Sequence, residues 1–299
     1  MKNINEMAKS ITRNKIYLVI ILIPFVLVSC KKEDIKSDNP VDKVIASNYK
    51  TITVTKDIPY RKGNSEAWVL DLAQPANFAN ELRPAIVIVH GGGWRAGSKS
   101  VDVYQKMMVE YAQKGYVTIN VNYRLIDEAP FPACIEDVKC AVRWLRSHAE
   151  KYKVDPNRIG GYGHSAGAHL ALMLAMAPDS ANLEGDGGWD KYSSRVNVAV
   201  AASPPTELGR DVPMAKPIWW PIGYISADHP PMFLIQGSDD KIVKAKLTDD
   251  FVEKMKSAGA NIKYLKIDGA GHGVAYAEKL EVTNPAIEAF FAKYLKPQL

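Results

Sequence analysis

The sequence predicts an α/β fold: one mostly parallel sheet with helices on both faces. Three observations carry this expectation. From residue 51 onward, short runs rich in Val and Ile alternate with longer stretches of helical spacing. One of these runs, Pro84 to His90, is apolar without a break as far as Val89, as a strand covered on both faces must be. The chain has 299 residues, 47% hydrophobic and 24% charged, which is enough apolar material for one large core.

The first 29 residues stand apart from that pattern. Lys2, Lys9, Arg13 and Lys15 make a positive start, and Ile16 to Val28 is an apolar run of 13 residues. A bilayer-spanning helix needs about 20 residues, so the segment reads as a secretory signal. It ends Leu27-Val28-Ser29-Cys30, which resembles the lipobox of bacterial lipoproteins. That resemblance implies cleavage before Cys30 and lipidation of its thiol, and an extracytoplasmic protein anchored to a bacterial membrane, outer membrane or cell surface. A single uncleaved anchor helix is the alternative, against which Pro24 interrupts the run. Residues 30–48 are charged and aperiodic, as a flexible tether would be, and 49–299 are expected to form one folded domain. Loss of four basic residues and one acidic residue lowers the net charge from +5 to +2, which leaves no argument for a nucleic-acid partner.

Within 49–299, Thr51 to Val54 and Trp68 to Leu72 read as opening strands. A helix over about Val101–Lys114 precedes a strand at Tyr116–Val121. Ile135, Val138, Ala141, Val142 and Leu145 then share one helical face. Cys134 and Cys140 lie six residues apart on that helix, about 9 Å along its axis, so they cannot bridge each other and are expected as buried thiols. Asp155-Pro156-Asn157 makes a turn into a strand at Arg158–Tyr162. Further strands are expected at Val196–Ala202, Met232–Gln236 and Ile262–Ile267. The last helix is expected to start at Asn284-Pro285, with a stripe of Ile287, Phe290, Phe291 and Tyr294.

The chemistry is concentrated in a few residues. Gly163-His164-Ser165-Ala166-Gly167 follows a strand and opens an apolar helix, Ala168 to Ala177. This is the setting of a nucleophile elbow, in which small neighbours permit the sharp turn that projects a serine hydroxyl. Such a hydroxyl needs a base, an orienter for the base, and donors for the developing oxyanion. His90-Gly91-Gly92-Gly93-Trp94 ends the buried strand, and the backbone N–H groups of Gly92 and Gly93 can join that of Ala166 as oxyanion donors. His90 is expected to be structural. His272, on the glycine-rich segment 269–273 after the last strand, is the base, and His164 is expected to point to the opposite side of the elbow. The acid is Asp240 or Asp239, both following the strand at 232–236.

Taken together, these residues resemble the α/β-hydrolase esterase/lipase family, near its acetyl esterase and feruloyl- or acetylxylan-esterase-like branches. The matching residues are His90 to Trp94, Asn122 to Leu125, Phe131 to Ala133 with Asp137 and Trp144, the elbow, Gly237 with Asp240 and Val243, and His272. The family places its acid three residues after the glycine, which selects Asp240, and its chain order is Ser165, Asp240, His272. Gln236 and Lys244 depart from it, where His and Pro are usual. The resemblance implies an α/β-hydrolase fold with minimal cap, and acyl transfer to Ser165 with no metal or organic cofactor. The expected substrate is a small-molecule or oligosaccharide ester, acetyl or feruloyl, with membrane contact only through the lipid anchor. Short insertions at Pro178–Arg195 and Ser203–Pro231 imply an open site, where Trp189, Trp219 and Trp220 either stack on substrate or pack the loops down. Alternatives are a formamidase, a peptidase-type hydrolase, and a non-catalytic surface binding module.

Overall fold

The computed structural model describes residues 51–76, 81–207 and 216–296. The expected signal, Cys30 and the tether lie outside them. In chain order the main elements are β1 (Ile52–Pro59), β2 (Val69–Pro75), β3 (Arg83–Val89), α1 (Asp102–Gln113), β4 (Val117–Val121), α2 (Ala133–Ser147), α3 (Ala149–Tyr152) and β5 (Val154–His164). They continue with α4 (Ala166–Met176), β6 (Val198–Ala202), β7 (Met232–Gly237), α5 (Ala245–Ser257), β8 (Ile262–Ile267) and α6 (Leu280–Leu295).

The strands form one sheet in the order β1-β2-β4-β3-β5-β6-β7-β8. β4, β3, β5, β6, β7 and β8 run parallel; β2 is antiparallel to β4, and β1 to β2. Alternation along β3 divides the core. Ala85, Val87 and Val89 join the side that holds Val138 and Leu145 of α2, Leu170 of α4 and Phe251 of α5. Ile86 and Ile88 join the side with Met108 of α1 and Phe290 and Phe291 of α6. Each buried Leu, Ile, Val or Phe removes enough apolar area to contribute about 1.5–3 kcal/mol. This is the predicted α/β-hydrolase architecture.

Two expectations are corrected. The last helix begins at Leu280, not at Asn284, and Pro285 lies inside it. Proline there has no N–H for the carbonyl of Glu281, but both Asn284 and Pro285 face solvent. Burial of Thr283, Ile287, Phe290, Phe291 and Leu295 outweighs one lost backbone bond. The second correction concerns β5, which starts at Val154. The predicted turn survives within it: Asn157 N donates to Asp155 Oδ1 at 2.9 Å, and the pairing with β3 shifts register there. Cys134 and Cys140 are free and buried, as expected.

The insertions are short, and their described residues are tied down. Glu184 binds both Lys139 Nζ (2.6 Å) and Arg143 Nη1, holding segment 178–195 on α2. After β6, the two 3-10 turns Pro217–Trp219 and Pro221–Tyr224 press Trp219 and Trp220 inward. No cap helix stands over the sheet among the described residues.

Candidate active site

Parallel strands bring their C-terminal ends to one edge, so the loops after β3, β5, β6, β7 and β8 gather together. Ser165 stands between β5 and α4 with φ 55° and ψ −123°, a region L-residues rarely occupy. The elbow's glycines are required by contact. A Cβ on Gly163 would lie 2.0 Å from Gly167 O, and one on Gly167 would lie 2.1 Å from Val89 O. The strained turn also puts Ala166 at the first position of α4, where a backbone N–H has no intrahelical partner.

The loop after β3 is shaped by the same kind of crowding. Gly92 has φ 120° and Gly93 φ 61°; a Cβ on Gly92 would meet Ala96 O at 2.0 Å, whereas one on Gly93 would meet nothing within 4 Å. Arg95 N and Ala96 N both donate to Gly92 O, closing a tight turn. Below it, His90 is buried, donates from Nδ1 to Gly91 O (2.8 Å) and stacks on Tyr123 at 4.2 Å. Burial pushes this imidazole down to about 4, so it stays neutral at physiological pH. His90 is structural, as expected. Beyond the turn, buried Lys99 binds Asp71 (2.7 Å) and Asp57 (2.6 Å), and its N–H donates to Asn122 Oδ1.

Asp240 and His272 meet. His272 Nδ1 donates to Asp240 Oδ2 at 2.8 Å, which sets Nε2 as the unprotonated nitrogen of the neutral ring. Asp240 is buried, and its Oδ1 accepts from Ile242 N (2.9 Å) and Val243 N (2.8 Å). Burial alone would raise this carboxyl. The hydrogen bonds from His272, Val243 and Ile242 outweigh it and hold Asp240 below the ordinary carboxylate range. Asp239 is exposed and bonds Ser238 Oγ, so the geometry separates the two candidates left open by the residues alone.

Ser165, His272, Gly92 and Gly93 line one cleft of about 370 Å³. Its remaining wall is largely apolar and aromatic, with Val101, Tyr104, Ile242 and Tyr276, and contains no Lys, Arg, Asp or Glu side chain. Tyr104 Oη accepts from Gly91 N at 2.8 Å and so braces the glycine loop from the cleft side.

Three residues acquire a role that spacing did not reveal. His164 does not point away from the elbow: its Nε2 donates to His272 O at 2.7 Å, and it lines the cleft. Gln236, one of the two departures from the family pattern, donates to Asp240 Oδ2 (3.0 Å) and Val243 O (3.0 Å) and accepts from Thr248 Oγ1 (2.8 Å). Its position at the end of an apolar strand was the available signal, since a buried amide must find partners. Glu278 accepts from Gly271 N and Gly273 N, clasping both sides of His272.

Of the tryptophans, Trp219 stacks on Phe131 and Trp220 lies 4.6 Å from His169, in a cluster with Trp94. Both are buried. Trp189 donates from Nε1 to Tyr60 O at 2.8 Å and meets His148 edge-on. All three pack loops. Arg124 and Asp137 brace the scaffold: the guanidinium grips the carboxylate at 2.8 Å through both Nε and Nη2.

Fold and site define an α/β-hydrolase. A family model described as BD-FAE matches residues 70–216, and the prolyl oligopeptidase family model matches residues 219–298. Esterase LipC of Mycobacterium tuberculosis is 26% identical over 241 residues, covering 71% of this chain and 58% of that protein. Arylacetamide deacetylase of Oryctolagus cuniculus is 40% identical over 105 residues, 34% of this chain and 26% of the relative. The chain thus spans little more than half the length of the mycobacterial esterase. Among solved structures, apo Thermogutta terrifontis esterase 2 aligns with TM-score 0.71 and 29% identity over 81% of this chain and 96% of that one. A truncated carbohydrate esterase from gut microbiota gives TM-score 0.72 and 25% identity, with the same coverage of both chains. The chain has the α/β-hydrolase fold and is similar in sequence and structure to esterases of that fold.

Proposed function

We propose that the protein is a serine carboxylic-ester hydrolase in which Ser165 is the nucleophile, His272 the base and Asp240 the residue that orients it. The observation that carries this reading is the 2.8 Å hydrogen bond from His272 Nδ1 to Asp240 Oδ2, beside a cleft that also contains the strained Ser165. His272 Nε2 takes the hydroxyl proton as Ser165 Oγ attacks the ester carbonyl, and Asp240 stabilises the imidazolium. The backbone N–H groups of Gly92, Gly93 and Ala166 receive the oxyanion. The proton passes to the departing alcohol, and water deprotonated by His272 then frees the acid from Ser165.

The substrate class proposed is acetyl or feruloyl esters of carbohydrates. A cleft without ionised side chains suits an uncharged acyl group, and the short insertions leave room for a bulky alcohol. The likeness to a gut-microbiota carbohydrate esterase supports the same reading. The match of residues 219–298 to the prolyl oligopeptidase family, over the stretch that supplies Asp240 and His272, favours peptide hydrolysis as the second reading. The extracytoplasmic, lipid-anchored location through Cys30 rests on the sequence alone.

A panel of p-nitrophenyl esters, methyl ferulate, acetylated and feruloylated oligosaccharides and a prolyl peptide tests the proposal, with wild type beside Ser165→Ala. Ester turnover abolished by the alanine is expected. Undiminished turnover by Ser165→Ala sinks the mechanism, and cleavage of the peptide alone selects the second reading. Incorporation of labelled fatty acid into wild type but not Cys30→Ser checks the anchor.

A further inference from the structure

His272 sits on a loop, and a base on a loop needs its main chain held as well as its ring. Asp240 restrains the ring, and Glu278 takes the N–H groups of Gly271 and Gly273. The carbonyl of His272 is held separately. His164 Nε2 donates to it at 2.7 Å and Ser203 Oγ at 3.1 Å. These donors come from the ends of adjacent strands, β5 and β6. A carbonyl accepts with two lone pairs, so both are satisfied at once.

We propose that His164 is a positioning residue of this site, rest as it does on the esterase reading above: its Nε2–H fixes the backbone of the base relative to the nucleophile. His164 and Ser165 are consecutive. The bond to His272 O therefore ties the base to the nucleophile's own backbone, a far shorter path than the one through β6, β7 and β8. Tyr276 stacks on the His164 ring at 5.1 Å and 24°, fixing the direction of the donor. The ring centroids of His164 and His272 are 4.8 Å apart, so a charge on His164 would oppose proton uptake by the base. Burial pushes His164 down to about 4, which keeps it neutral while His272 works.

The test exploits which nitrogen is used. A glutamine amide reaches the place of Nε2, whereas an asparagine amide stops near Nδ1. Kinetics on the best p-nitrophenyl ester should show His164→Gln within about fivefold of wild type. His164→Asn and His164→Phe should lose about 10- to 100-fold in kcat with KM within twofold, the size and pattern of a misplaced catalytic group. A second readout does not depend on turnover: the low-field proton resonance of His272 Nδ1 should persist in the glutamine variant and broaden or vanish in the other two. Wild-type kcat together with an unchanged resonance in His164→Phe overturns the proposal, and so does equal loss in the glutamine and asparagine variants. If the phenylalanine variant does not fold, the smaller asparagine variant carries the comparison. A wild type inactive on every ester sinks the esterase reading, while the resonance still decides the clamp.

Discussion

The loop after β3 and the loop after β8 both reach the cleft beside Ser165, yet they are held in different ways. The first is fixed chiefly by contact, with a single side-chain brace from Tyr104 Oη to Gly91 N. Gly92 lacks a Cβ because one would collide with Ala96 O, and the turn closes on its own backbone. The second is fixed by hydrogen bonds from side chains elsewhere: Glu278 on two N–H groups, His164 and Ser203 on one carbonyl, and Asp240 on the ring. Steric fixation fails abruptly, because overlapping atoms leave no intermediate state. A set of hydrogen bonds fails by degrees, each net worth about 0.5–1.5 kcal/mol.

The largest effect expected from breaking this contrast is at the one irreplaceable member of the second loop's set. Asp240→Asn should lower kcat by about 10⁴-fold, since an amide facing Nδ1 favours the wrong tautomer, whereas the exposed Asp239→Asn should leave kinetics unchanged. The reverse ranking would reassign the acid. Next comes the steric loop. Gly92→Ala should cost about 10²–10³-fold in kcat by displacing an oxyanion donor. Gly93→Ala, with open space and a φ that costs alanine about 1 kcal/mol, should cost under tenfold. Equal losses at the two glycines would refute fixation by contact.

Smaller still is Glu278→Gln, which keeps one acceptor oxygen of the two. A fall in kcat of about tenfold is expected, with folding stability reduced by about 1–2 kcal/mol in urea titrations. The response to acid is gradual and is read in stability rather than in kcat. His90 under the first loop and His164 at the second are each held at about 4 against an ordinary value of 6.5. Between pH 6.5 and 4 the unfolded chain therefore binds protons that the native state does not. Stability falls as pH is lowered through that window and is flat with respect to these groups above it, by at most about 1.4 kcal/mol per pH unit for each histidine. Melting temperatures from pH 7.5 to 4.5 should decline accordingly, and less steeply in His164→Gln.

Local patterns read well in the sequence wherever the chemistry is local. Gly163 to Gly167 between a strand and an apolar stretch identified the elbow, because a sharp turn needs small neighbours within five residues. The strands at 198–202 and 232–237 were recognisable because burial on both faces leaves apolar runs. Reading failed where the deciding partner is distant. Asn284-Pro285 carries a helix-start signature, but the packing of α6 against the sheet extends the helix back to Leu280. The partners of Gln236 are not legible either, since nothing nearby in the sequence announces the oxygens of Asp240 and Thr248 around it. His164 was assigned to the wrong side of the elbow because His272 O lies 108 residues away.

The sequence by itself determined the α/β class, the order of the reactive residues and the glycines that the two turns demand, since these follow from side-chain size and periodicity over a few residues. Only the tertiary structure brought Asp240, and not the exposed Asp239, into contact with His272. It also packed the tryptophans of the insertions against the body of the protein, and turned His164 and Gln236 toward the base and its acid. The physical reason is range: sterics and periodicity act between neighbours in the chain. The partner of a buried hydrogen-bonding group is chosen by whichever strand end the sheet places beside it.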